Sequence, residues 1–163
     1  MRYIFNLILL SLILFSSCNN KQDNIIIHKE FPNEEWQRFE YLKGDMAITK
    51  APVTYDLAIE VVVSDKYPNE YINHQKDGSF PLNITISNSD GIYRTKDYKF
   101  MLKDTEGYWN AEKKDGYYTF VLPVANEMTL TDNDTYRFQI ENKYPKDPLC
   151  GIKSLKLKYI DAK

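Results

Sequence analysis

The chain has 163 residues and a formal net charge of −2. That length suits one domain, and the charge lacks the cationic excess needed to grip a nucleic-acid backbone. Thirteen tyrosines and eight phenylalanines against six glycines favour strands over helices, and beyond residue 20 no stretch is long and apolar enough to span a bilayer.

The N-terminus reads as an address. Met1-Arg2-Tyr3 supplies one positive charge, and Ile4 to Phe15 is apolar apart from Asn6 and Ser11. Ser16-Ser17-Cys18 follows, then a polar run from Asn19 to Asn24. A basic start, a short apolar core and small residues before a cut make a secretory signal peptide. Small residues directly before a cysteine resemble a bacterial lipobox, although Phe15 stands where leucine is usual. The expected organisation is a lipoprotein signal peptide over 1–17, a tether over 18–24 that is lipidated at Cys18, and one folded domain over 25–163. Acylation at Cys18 would hold the protein on a membrane without spanning it.

Alternating apolar and polar residues dominate the remainder of the chain, as in strands with one buried face. Ile25-Ile26-Ile27 predicts the first strand. Phe31 to Trp36 predicts a turn, with Trp36, Phe39 and Tyr41 closing one end of the core. A short strand is expected around Met46 to Thr49, ended by Pro52. Tyr55 to Ser64 is the clearest element, with Tyr55, Leu57, Ile59, Val61 and Val63 on one side and no Gly or Pro inside. We read it as a central strand.

Tyr67-Pro68 predicts a turn or an edge segment, and Asp77-Gly78 another turn. Phe80, Leu82, Ile84 and Ile86 form the next apolar row, then Tyr98, Phe100 and Leu102 after the Ser89-Asp90-Gly91 turn. Turns at Asp104 to Gly107 and at Asp115-Gly116 precede the row Tyr118, Phe120, Leu122 and Val124. Tyr136, Phe138 and Ile140 follow the polar loop Thr131 to Asp134, and Leu155, Leu157 and Tyr159 end the series. Seven or eight short strands with regular turns predict an all-β fold, an antiparallel sandwich of immunoglobulin-like or jelly-roll-like kind.

No catalytic constellation is visible. There is no Gly-x-Ser-x-Gly turn, no Gly-rich phosphate loop and no clustered Cys and His for zinc. Cys150 lacks an intrachain partner once Cys18 is acylated, and it reads as a small buried hydrophobe. Only His28 and His74 are available as bases for it. Asp132-Asn133-Asp134 lacks the glycine and distal glutamate of a calcium loop and reads as a solvated turn. Glu34, Glu35 and Glu106 are candidate hydrolytic carboxylates by residue type alone, and surface charge is the simpler reading. Trp36, Trp109, Tyr108, Tyr117 and Tyr118 make a sugar platform conceivable, but core filling is the commoner use of such rings. Lys153, Lys156, Lys158 and Lys163 form a basic face, read as edge-strand protection.

The order of these pieces resembles one family. Phe31 and Trp36 lie near the start of the mature chain, and Tyr55-Asp56-Leu57 opens the long strand. Tyr67-Pro68 follows, then Gly107-Tyr108-Trp109, Tyr136-x-Phe138-x-Ile140, Leu149-Cys150-Gly151-Ile152 and Leu155-x-Leu157. This resembles the GldH-type gliding-motility lipoproteins of the Bacteroidetes. The resemblance implies a non-enzymatic component of an envelope machine, without cofactor or metal, at the outer membrane and among envelope proteins. A surface glycan-binding module is the alternative.

Cys18→Ala should abolish palmitate labelling and shift the protein from the membrane fraction to the soluble one. A variant that still labels and pellets with membranes would overturn the anchor.

Overall fold

The computed structural model describes residues 24–68, 70–72 and 75–161. The signal peptide, Cys18 and nearly all of the tether lie outside the described residues, as do His74 and Lys163. Thirteen strands run through the described part: β1 (Asn24–Glu30), β2 (Glu35–Trp36), β3 (Leu42–Ala47), β4 (Val53–Ser64), β5 (Glu70–Ile72), β6 (Gln75–Asp77), β7 (Ser79–Asn88), β8 (Gly91–Met101), β9 (Lys113–Lys114), β10 (Tyr117–Leu130), β11 (Thr135–Asn142), β12 (Leu149–Cys150) and β13 (Ile152–Asp161). Eight of them are six residues or longer, matching the seven or eight expected.

The long strands form two antiparallel sheets, ordered β1-β13-β4-β10-β9 and β3-β11-β7-β8, with β12-β2 and β5-β6 as small ribbons. The fold is sandwich-like, a curled half-barrel. Its core is built from the rows read in the sequence. Leu57, Ile59, Val61 and Val63 of β4 are buried, as are Leu155 and Leu157 of β13. Facing rows come from Phe80, Leu82, Ile84 and Ile86 of β7 and from Tyr136, Phe138 and Ile140 of β11. Full burial of each aliphatic or phenyl side chain contributes about 1.5–3 kcal/mol before conformational entropy is counted. β4 is central as expected, paired along one edge with β10 and along the other with β13.

The outer face of that sheet explains the lysines. His28, Lys156, Glu60 and Val121 lie in one cross-strand row. Lys156 Nζ is 3.0 Å from Glu60 Oε1, and Lys158 Nζ bonds the other carboxylate oxygen. The edge-protection reading is therefore corrected. β13 lies between β1 and β4, and two of its lysines neutralise a glutamate on the neighbouring strand.

Other expectations shift for identifiable reasons. Phe39 is 75% exposed and Tyr41 is also exposed; only Trp36 closes the core, its indole N–H donating to Glu40 O at 2.8 Å. The strand expected at Met46 to Thr49 starts earlier, because Leu42 to Ala47 pairs with β11. Asp77-Gly78 is a break between β6 and β7, not a turn. A Cβ on Gly78 would lie 2.3 Å from that of Lys103. Tyr67 is buried, and its hydroxyl donates to Ser79 O at 2.6 Å. In the Asp132–Asp134 loop, Asn133 Oδ1 accepts the Ala51 N–H at 2.7 Å, while Asp134 accepts from the Ser89 and Thr135 backbone. These side chains stitch loops together.

Ile59→Ala should cost about 2–5 kcal/mol in chemical denaturation. Val121→Ala, one strand away on the outer face and 66% exposed, should change stability by no more than about 0.5 kcal/mol. The reverse order would place the sheet in the opposite register.

Candidate functional site

Polar groups converge at one end of the sandwich, where β4 stops at Ser64. The β12-β2 ribbon, the β9–β10 hairpin and the bend at Gly151 meet there. Glu34, Ser64, Asp65, Lys66, Asp115, Gly116 and Tyr117 line an open concavity. Glu34 has a left-handed backbone (φ 56), which costs a non-glycine residue on the order of 1–3 kcal/mol. Its surroundings hold it there. Its N–H donates to Phe31 O at 2.9 Å, and its carbonyl accepts the Gly151 N–H at 2.7 Å. Gly151 (φ +78) is required, since a Cβ would lie 2.2 Å from Tyr67 N.

The Glu34 side chain is 14% exposed and accepts from Ser64 Oγ at 3.0 Å, Lys66 Nζ at 3.1 Å and Tyr117 OH at 3.2 Å. Hydrogen bonding from Lys66 holds its carboxyl below the usual glutamate range, with Ser64 and Tyr117 adding to it and burial opposing. Beside it Asp65 pairs with Lys113 and accepts from Tyr118 OH at 3.1 Å. The Lys113 bond likewise lowers the Asp65 carboxyl. Both groups are thus held as carboxylates, the opposite of the raised pKa a general acid needs.

The rings pack inward. Trp109 stacks on Tyr118 with centroids 4.2 Å apart and planes 20° apart, and Lys103 Nζ sits 4.2 Å from the Trp109 centroid. A ring and an ammonium at that range occupy opposite faces, so neither face of the indole is open. Lys103 is 3% exposed, and its ammonium is held by this cation–π contact and by Tyr67 O at 3.5 Å. Trp36 is buried against Phe31 and Phe80. Of the five candidate platform residues, Tyr108 is the one that is exposed, at 68%.

The structure therefore gathers Glu34, Tyr117, Tyr118 and Trp109, and leaves other candidates apart. Glu35 pairs with Cys150 across the small ribbon, and Glu106 lies in the turn over 104–107, its N–H bonded to Asp104 Oδ1. Cys150 Sγ is 3.7 Å from Pro148 O. His28 is on β1, hydrogen-bonded to Glu30 at 2.9 Å, and does not serve the thiol. Among the described residues no group of three or more His, Cys, Asp or Glu could hold a metal. Sequence reasoning missed Ser64-Asp65-Lys66 and Lys113. Their only sequence signal is a polar triplet at the end of an apolar strand.

Fold and site together define a class: an all-β, sandwich-like domain whose charged end is spent on fastening its own loops. The sequence matches the family described as GldH lipoprotein over residues 26–158, and the chain belongs to that family. No curated protein sequence matches it. Among solved structures it is similar to the crystal structure of dimeric latent PorU from Porphyromonas gingivalis, at a TM-score of 0.36 and 6% identity. That overlap takes in 85% of this chain and 13% of the other. Among the described residues no helix is long and apolar enough to cross a membrane.

A carboxylate with a lowered folded pKa stabilises the fold above its unfolded pKa, and that contribution disappears as pH falls through the folded value. Glu34→Gln should therefore flatten the acid loss of Tm below about pH 5. An acid profile identical to wild type would show that the Lys66, Ser64 and Tyr117 bonds carry no stability.

Proposed function

We propose that this chain is a non-catalytic lipoprotein of the bacterial cell envelope, acting through protein contact. It serves as a structural component of the gliding-motility apparatus or its associated secretion machinery. An acyl anchor at Cys18 holds it at the outer membrane, with the sandwich carried on the short tether. The match to the GldH lipoprotein family across residues 26–158 carries this reading. The site supports it. The Glu34 and Asp65 carboxylates are bound by lysines and tyrosine hydroxyls of their own chain, and catalysis requires groups poised to change protonation or bonding. The covered faces of Trp109 count against the glycan-binding alternative.

Crosslinking and affinity purification from native envelopes should recover a reproducible set of envelope proteins. Deletion should disturb their assembly, and in a gliding host should abolish spreading. The purified protein should hydrolyse no glycan, peptide or ester. Turnover lost in Asp65→Asn would make it an enzyme, and tight glycan binding lost in Trp109→Ala would make it a glycan-binding module.

A further inference from the structure

The half-barrel closes on one side and stays open on the other. On the closed side β3 lies against β1 so tightly that a Cβ on Gly44 would fall 2.2 Å from Ile26 O. On the open side β8 and β10 face each other without pairing. Among the described residues β10 meets β9 only at Tyr117 and Tyr118, and β8 pairs only with β7. Both therefore expose backbone N–H and C=O groups that another strand could pair with.

The two edges differ. That of β10 is blunted. Pro123 lacks an N–H, the register slips on both sides of Ala125, and Glu127 is left-handed (φ 52). β8 contains no proline and keeps an unbroken register with β7 from Arg94 to Met101.

Register also reveals what β8 turns toward the core side. Arg94, Lys96, Tyr98 and Phe100 lie opposite Ile86, Ile84, Leu82 and Phe80 and share their face. The β7 residues are buried, while the four on β8 are exposed or half-buried. Lys96 Nζ sits 5.0 Å from the Tyr98 ring centroid, and neither cation has an ion-pair partner among the described residues. The crevice beside them, lined by Leu57, Val124 and Met128, encloses only about 10 Å³. A partner would lie along this edge and would not insert into it.

We propose that β8 is the docking edge for an extended segment of a partner protein. The segment adds antiparallel to β8, sets two acidic side chains against Lys96 and Arg94, and lays apolar ones over Tyr98 and Phe100. A second copy is a poor occupant, because this face of β8 carries two cations and no carboxylate to answer them. A lipid headgroup would neutralise the cations but leave the backbone row unpaired. The inference rests on the protein-contact reading above and names the surface it uses. It can fail while envelope co-purification stands.

The test uses the full-length lipoprotein in nonionic micelles and a fluorescent eight-residue peptide. Threonines alternate along the peptide with, on the other face, two valines and then two glutamates. Run antiparallel to β8, the glutamates meet Lys96 and Arg94. Binding should weaken by about tenfold or more in Arg94→Glu/Lys96→Glu. That variant should instead take the same peptide with lysines for glutamates. Arg94→Gln/Lys96→Gln should be intermediate, and backbone N-methylation of the peptide should abolish binding. No binding to wild type, equal binding to all variants, or N-methylated peptide binding as well as the parent would overturn the proposal. So would phosphatidylglycerol vesicles that bind through Arg94 and Lys96 while the peptide does not.

Discussion

The structure depends on β4 having to bury one face while pairing along both edges. Leu57, Ile59, Val61 and Val63 supply the apolar face, and β10 and β13 satisfy the backbone on either side. A strand without Gly or Pro can meet both demands at once. The second sheet then has little freedom, since its buried rows on β7 and β11 must cover that face. The polar end follows from where β4 stops. Ser64 is its last residue, and its hydroxyl reaches Glu34 from a loop 30 positions earlier in the chain.

Charge refines what burial decides. Ion pairs made by lysines open to solvent contribute little each, so Lys66–Glu34 and Lys113–Asp65 matter for geometry more than for total stability. They fix the segments around a left-handed Glu34 that would otherwise relax. Glu60 acts on the sheet in a similar way. Burial alone would raise its pKa, yet hydrogen bonds from Lys158 and Lys156 outweigh that and hold it low. A one-residue slip of β4 would carry Glu60 into the core and Ile59 out. The two lysines thus favour the register that the apolar row already requires.

Much of this was legible in the sequence, because a period of two reports a buried strand face directly. The rows on β4, β7, β10, β11 and β13 all follow it. What failed depends on contacts between distant segments. Nothing near Phe39 or Tyr41 says that, of the three, Trp36 is the one buried in the core. Nothing in the lysines of β13 says that the strand is interior; that follows only from its pairing with β1 and β4. The site was half visible. Glu34 stood out by type and Trp109, Tyr117 and Tyr118 by aromaticity, but Ser64, Asp65 and Lys66 gain meaning only where the loops meet. On β8 the apolar row was read from Tyr98 onward, and the same alternation traced backward puts Lys96 and Arg94 on that face.

The central claim is a sandwich carried by β4, sealed where β1 meets β3 and open along β8. Native-state amide hydrogen exchange on the isolated protein tests it most directly. The account predicts that the amides of Leu57 to Val63 exchange only through global unfolding. Alternate amides of β8, those turned away from β7, should exchange orders of magnitude faster. Uniform protection of β8 at the level of β4 would contradict it, because that edge would then already be covered.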